Sequence, residues 1–157
     1  MKIGIIVYSQ TGNTYSVGLK LKEKLSKAGH SANIESVTIV GGGSQTPKKF
    51  KFDNLPRAEK YDALVLGAPV HAFSLAPVMA AYLNQLSSLK GKNIACFVTK
   101  QLPLSWTGGT QAIARMKKIC QSKGAVVCGS VIIIWSKARR QQSIRDGIDR
   151  LSGFFPL

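Results

Sequence analysis

The sequence predicts an α/β protein, with five parallel strands in one sheet and helices on both faces. Short apolar runs alternate along the chain with longer stretches whose apolar residues recur at helical spacing. Such alternation is typical of parallel sheets, because each parallel strand needs a crossover to bring the chain back. The length of 157 residues and the apolar fraction of 45% fit a single domain, residues 1–157, with a sizeable core.

Each predicted strand corresponds to one apolar run. The first run, Ile3–Val7, contains only apolar residues and glycine, so it fits a strand that is buried on both faces. The other four predicted strands are Ile34–Val40, Ala63–Leu66, Ile94–Val98 and Ala125–Trp135.

Four helices are predicted from apolar residues that share one face. Three of them span Thr14–Ala28, Thr110–Lys123 and Ala138–Ser152. The other helix, second along the chain, follows Ser74, which can cap it. Gly29 and Gly124 can end the first and third of these helices. The segment Gly41–Lys60 lacks a clear period and carries three consecutive glycines and several lysines. We expect a mostly irregular connection there. The sequence does not indicate what its basic residues do.

The loop after the first strand is rich in hydrogen-bond donors. Ser9, Thr11 and Thr14 supply hydroxyls, and the Asn13 amide supplies two more N–H groups. The loop opens a predicted helix, whose amino end favours anions. The loop contains neither Lys nor Arg and matches neither the Walker A pattern nor GxGxxG. A phosphate monoester that is bound but not transferred fits such neutral donors. An ordinary Ser/Thr-rich helix cap remains the alternative.

The same hexapeptide, SQTGNT, resembles the [ST]-x-T-G-x-T phosphate loop of flavodoxins, both in residue pattern and in its position after strand one. The resemblance implies a flavodoxin-like, doubly wound sheet with strand order 2-1-3-4-5. It also implies FMN as the cofactor, with its phosphate held by the six loop residues Ser9, Gln10, Thr11, Gly12, Asn13 and Thr14.

Two further loops then correspond to the family's flavin loops. The loop after strand three contributes Ala68, Pro69, Val70, His71, Ala72 and Phe73. His71 or Phe73 is expected to stack on the flavin ring, although Phe73 packed in the core is the alternative. The loop after strand four contributes Thr99, Lys100, Gln101, Trp106, Gly108 and Gly109. Trp106 either covers the ring or packs on its own loop, and the two glycines permit a close approach.

The charge of the chain departs from the acidic character of typical flavodoxins. It has 22 Lys and Arg against 7 Asp and Glu, a net charge of +15. We expect acidic redox partner proteins, such as ferredoxin-like proteins or reductases. Basic surroundings also favour the anionic reduced flavin, so the second-electron potential is expected to be less negative than in an acidic flavodoxin. Specific nucleic-acid binding is not expected, because the basic residues are spread over several helices without aromatic interleaving.

Three functions are compatible with these patterns. An FMN-dependent electron carrier is favoured, because the chain has no insertion that would build a substrate pocket. An FMN-dependent NAD(P)H oxidoreductase acting on quinones is the alternative, and a flavin-free anion-binding module is the third. No catalytic residue and no metal site are predicted.

The cysteine pattern and the lack of a long apolar run suggest a cytoplasmic protein without a membrane span. No two cysteines of the chain have CxxC spacing, and all three lie among apolar neighbours. Three buried free thiols are therefore expected, at Cys96, Cys120 and Cys128.

Overall fold

The computed structural model describes residues 1–40, 51–102, 104 and 107–157. Within them the chain forms eight strands and four α-helices. The strands are β1 (Lys2–Val7), β2 (Ser31–Ser36), β3 (Thr38–Ile39), β4 (Phe52–Asn54), β5 (Ala63–His71), β6 (Ser74–Leu75), β7 (Asn93–Lys100) and β8 (Val126–Ile134). The helices are α1 (Asn13–Lys27), α2 (Pro77–Gln85), α3 (Gly109–Ser122) and α4 (Arg140–Gly153).

The main sheet has the strand order β2-β1-β5-β7-β8, and these five strands are all parallel. Numbered among themselves, they follow the predicted order 2-1-3-4-5. The predicted total of five strands is wrong, however. The short strand β6 pairs antiparallel with β5, and β3 pairs with β4 in a separate two-stranded sheet.

The central strands are buried on both faces, as the apolar run at β1 predicted. Ile6 and Leu64 belong to the core cluster that includes α2 and α3 residues, whereas Ile5 and Phe97 belong to the cluster that includes α1 and α4 residues. The helices therefore cover both faces of the sheet, and the carboxyl ends of the strands form one free edge.

The second strand differs from its prediction because it lies at the edge of the sheet. It begins at Ser31, paired with Lys2, three residues before the predicted start at Ile34. An edge strand needs less apolar sequence, so the apolar run did not mark its beginning. Thr38–Ile39, within the predicted strand Ile34–Val40, pair instead with β4.

Strand β5 runs past its predicted end at Leu66 to His71 and turns directly into β6. The predicted loop residues 68–71 therefore belong to a strand. Ser74 lies in β6 and does not cap the following helix, because α2 begins at Pro77 after Ala76. Proline at the first helical position already supplies the right φ angle and has no N–H to satisfy.

The basic segment Gly41–Lys60 is only partly irregular. Residues 41–50 lie outside the described residues. The remainder contains β4 and a short 3-10 helix, Ala58–Lys60.

The three cysteines are free thiols with different exposures. Cys96 and Cys120 are buried, as predicted, but Cys128 on the edge strand β8 is exposed. The prediction of a buried thiol is therefore wrong for Cys128. None of the helices in the described residues is long and apolar enough to cross a bilayer.

Candidate functional site

Two adjoining clefts lie where the carboxyl ends of the parallel strands meet. The first, of about 160 Å³, combines the residues Gln10, Thr11, Asn13, Pro69, Val70, His71, Thr99, Lys100, Gln101 and Trp135. The second, of about 240 Å³, is lined by Val70, Ala72, Phe73, Lys100, Gln101, Leu102 and Thr107. The clefts share Val70, Lys100 and Gln101, so they adjoin, and the two together are called the groove below. Ligands of open α/β sheets bind at such an edge.

The loop between β1 and α1 folds around Ser9. The Ser9 Oγ accepts the backbone N–H of Gly12 at 3.1 Å and the N–H of Tyr15 at 3.2 Å. Gly12 has a φ angle of +92°, which an L-residue rarely adopts, and a Cβ built on it would meet no atom within 4 Å. The structure therefore places open space directly before the amino end of α1.

The hydroxyl of Thr14 does not point into this space. Thr14 is 1% exposed, and its Oγ1 lies 2.9 Å from the Oγ1 of Thr99, itself 4% exposed. This buried hydrogen bond joins the first turn of α1 to the carboxyl end of β7. Thr99 lines the first cleft and Thr14 does not. The predicted donor Thr14 thus positions Thr99 and the start of α1.

The turn between β5 and β6 projects beside the second cleft. Its two residues, Ala72 and Phe73, have φ angles of 47° and 61°, in the left-handed region that favours glycine. Phe73 is 58% exposed, so the alternative of a core position for its ring is wrong. His71, at the end of β5, meets the Tyr8 ring edge-on with 6.3 Å between centroids. Burial lowers the pKa of the His71 imidazole.

Lys100, the last residue of β7, is 8% exposed and lines both clefts. Its Nζ donates to the carbonyl oxygen of Leu104 at 2.7 Å and to the Thr107 hydroxyl at 2.9 Å. The Thr107 Oγ1 donates in turn to the Leu104 oxygen at 2.5 Å. The ammonium therefore holds the loop after β7 against the end of its own strand. Burial lowers the pKa of this ammonium.

The two glycines before α3 permit close packing within the protein. A Cβ on Gly108, whose φ is +100°, would lie 2.3 Å from the Phe73 backbone. A Cβ on Gly109 would lie 3.3 Å from the Lys100 side chain. The close approach expected here is thus made by the turn after β5, by Ile132 and by Lys100.

Trp135 is a residue of the site that sequence reasoning missed, and it lies outside the three predicted loops. It directly follows β8, lines the first cleft and donates its backbone N–H to the Lys100 carbonyl oxygen at 2.7 Å. The guanidinium of Arg140 lies 5.3 Å from the centre of its ring. Its position at the carboxyl end of a parallel strand was a usable signal, because all such ends meet at one edge.

The structure brings the three predicted loops together at this edge. Trp106, the predicted cover of the ring, lies outside the described residues. None of the seven acidic residues lines either cleft; they are Glu23, Glu35, Asp53, Glu59, Asp62, Asp146 and Asp149. The described residues contain no group of three or more His, Cys, Asp or Glu that could hold a metal ion.

Comparison with known proteins gives similarity in structure but not in sequence. No protein-family model and no curated protein sequence matches the chain. Among solved structures, the flavodoxin of Streptococcus pneumonia TIGR4 is similar with a TM-score of 0.69 and 15% identity, over 98% of this chain and 96% of that one. Oxidised flavodoxin 2 from Bacillus cereus has a TM-score of 0.67 and 17% identity, over 99% and 100%.

A third similar structure is a flavoprotein from Lactobacillus acidophilus NCFM in complex with FMN. It has a TM-score of 0.63 and 17% identity, over 93% of this chain and 97% of that one. These matches extend over almost the whole length of each protein, so they concern the complete fold. Together with the strand order and the helices on both faces, they show that the chain has the flavodoxin-like fold.

Proposed function

We propose that the protein binds FMN and carries electrons between redox proteins. The observation that supports this most directly is the shared groove. The amino end of α1, with open space at Gly12, adjoins the same cleft as the ends of β5 and β7. A phosphate placed at the helix would leave the remainder of the ligand directed along the groove.

The phosphate end fits by its donor chemistry. The first cleft receives polar side chains from Gln10, Thr11 and Asn13, and the first N–H groups of a helix lack partners within the helix. Ser9 fixes the loop through two backbone N–H groups. These neutral groups and the helix dipole suit a dianion that stays bound.

The ring end fits by its mixture of apolar and polar groups. Val70, Phe73 and Leu102 offer apolar surface to the faces of a flat ring, and Gln101 and Lys100 offer polar groups to its edge. FMN bound there would supply one- and two-electron transfer. The residues of the chain would bind it, orient it and limit the access of water.

The net charge of +15 suggests the kind of partner. Basic surfaces attract acidic ones and speed their encounter, most strongly at low salt. An acidic ferredoxin-like protein or reductase is therefore the proposed partner.

The exposure of Phe73 favours one second candidate, an FMN-dependent NAD(P)H oxidoreductase. Phe73 is 58% exposed beside the second cleft, so a nicotinamide could approach from solvent. Anaerobic addition of NADPH and then NADH to the FMN-loaded protein separates the two functions. A carrier keeps the flavin oxidised until a reductase is supplied, whereas an oxidoreductase bleaches it at once.

Binding itself is tested by quenching of FMN fluorescence, with riboflavin as the phosphate-free comparison. We expect FMN to bind far more tightly than riboflavin. Ser9→Ala should weaken FMN binding and leave riboflavin binding unchanged, because the Ser9 hydroxyl organises only the phosphate loop.

Ser122→Ala is the matched control, since the Ser122 hydroxyl donates to Ile119 at the far end of α3. It should bind both ligands like the unaltered protein. Equal affinity of the unaltered protein for FMN and riboflavin would contradict the phosphate site, and no quenching by either would contradict the proposed function.

A further inference from the structure

We propose that Lys100 acts as a built-in positive charge that selectively stabilises the reduced, anionic form of the bound flavin. This inference rests on the proposed function. It assigns to one buried side chain an effect that the net charge alone would spread over the whole surface.

Lys100 lies where the two clefts adjoin. Among the described residues it is one of three that line both clefts, together with Val70 and Gln101, and no other lysine, arginine or acid of this part of the chain lines them. Its side chain lies beside Gly109, where α3 begins, so the positive end of that helix dipole adds to the same potential.

The charge of Lys100 is not neutralised by an acid in the described residues. The groups that its Nζ contacts there, the Leu104 carbonyl and the Thr107 hydroxyl, are neutral. The ion pairs of the described residues involve Lys24, Lys27, Arg57 and Lys60, all outside the groove. All seven acids of the chain lie elsewhere. An unpaired, poorly hydrated ammonium interacts more strongly with a nearby anion than a surface lysine does.

Reduction changes the charge of the flavin ring, and this change determines which form of the flavin Lys100 stabilises. An oxidised flavin ring is neutral. Two electrons from a reductant and one proton from solvent convert it into the reduced anion, so the ring gains one negative charge. Lys100 attracts that anion and leaves the neutral ring almost unaffected. The ratio of affinities for reduced and oxidised FMN should therefore depend on this residue.

The experiment measures that ratio for Lys100→Met, which removes the charge and keeps an unbranched side chain. Fluorescence quenching measures the affinity for oxidised FMN. The ratio of affinities for reduced and oxidised FMN is calculated from the difference in midpoint potential between bound and free FMN, with dithionite as reductant. We expect the ratio to fall at least tenfold, which equals about 30 mV in the two-electron potential.

Two further variants separate this effect from others. Lys90→Met makes the same change in net charge at an exposed position before the amino end of β7, and it should leave the ratio unchanged. Thr107→Val removes a partner of the ammonium and loosens the loop without changing charge. It should weaken the binding of both forms of FMN alike.

The outcomes are distinct. A fall in the ratio for Lys100→Met alone supports the proposal. An equal fall for Lys90→Met would assign the effect to net charge, and an equal fall for Thr107→Val would assign it to loop structure; either result overturns the proposal. Failure of the unaltered protein to bind FMN would instead overturn the proposed function.

Discussion

The hydrogen bond between Thr14 and Thr99 allows a quantitative test of how the site is held together. Replacing either threonine by valine keeps its shape, removes the bond and leaves the other hydroxyl buried, since the two residues are 1% and 4% exposed. A buried hydroxyl without a hydrogen-bond partner lowers the free energy of unfolding by about 1–3 kcal/mol. We therefore expect Thr14→Val and Thr99→Val each to lower the free energy of unfolding by about 2 kcal/mol.

The double variant gives the decisive measurement. Replacing both partners leaves no stranded hydroxyl, so the loss should be far smaller than the sum of the single losses, with a coupling of about 1–3 kcal/mol. Urea unfolding of the FMN-free protein measures all four proteins, and equal m-values confirm that only stability has changed. Losses that simply add would refute the reasoning, because they would mean that the two hydroxyls do not depend on each other. FMN affinity should fall more for Thr99→Val, since only Thr99 lines the cleft.

Three other predictions follow from single positions. Gly67→Ala should lower the free energy of unfolding by about 1–3 kcal/mol in urea unfolding, because its Cβ would lie 2.2 Å from the buried Phe97 ring; Gly153→Ala, with nothing within 4 Å, should change it little. Ala72→Gly should raise the free energy of unfolding by about 1 kcal/mol by relieving the φ of 47°, and no gain in thermal midpoint would contradict this. Burial lowers the pKa of His71 below its usual 6.5, so the unfolded chain takes up the proton first and stability falls as the pH drops below about 6.5. His71→Gln should make that decline less steep in unfolding measured between pH 8 and pH 5.

The sequence predicted the main sheet well where apolar runs are unambiguous. Strands β1, β5 and β7 lie in the centre of the sheet and are largely buried, so their sequences consist mainly of apolar residues. The turn at Ala72 and Phe73 was missed for the opposite reason. A two-residue turn with positive φ normally contains glycine or asparagine, and neither stands there.

The candidate site was predicted as three loops but not in its internal contacts. The position of each loop after a parallel strand was enough to predict that they meet. The pairing of Thr14 with Thr99 joins residues 85 positions apart, and no local pattern reports such a contact. Composition and residue spacing likewise do not predict the hydrogen bonds from Lys100 to the loop that follows its strand.

The unequal exposure of the three thiols offers a route to a single fluorescent label. Only the exposed Cys128 is open to a maleimide dye, because Cys96 and Cys120 are buried. Ile134, at the carboxyl end of β8, lies six positions after Cys128 along the strand, a distance of about 20 Å. A blue-emitting dye at this position would therefore lie within energy-transfer range of a flavin in the groove, and its dimming would report the arrival of the cofactor without any substitution in the chain.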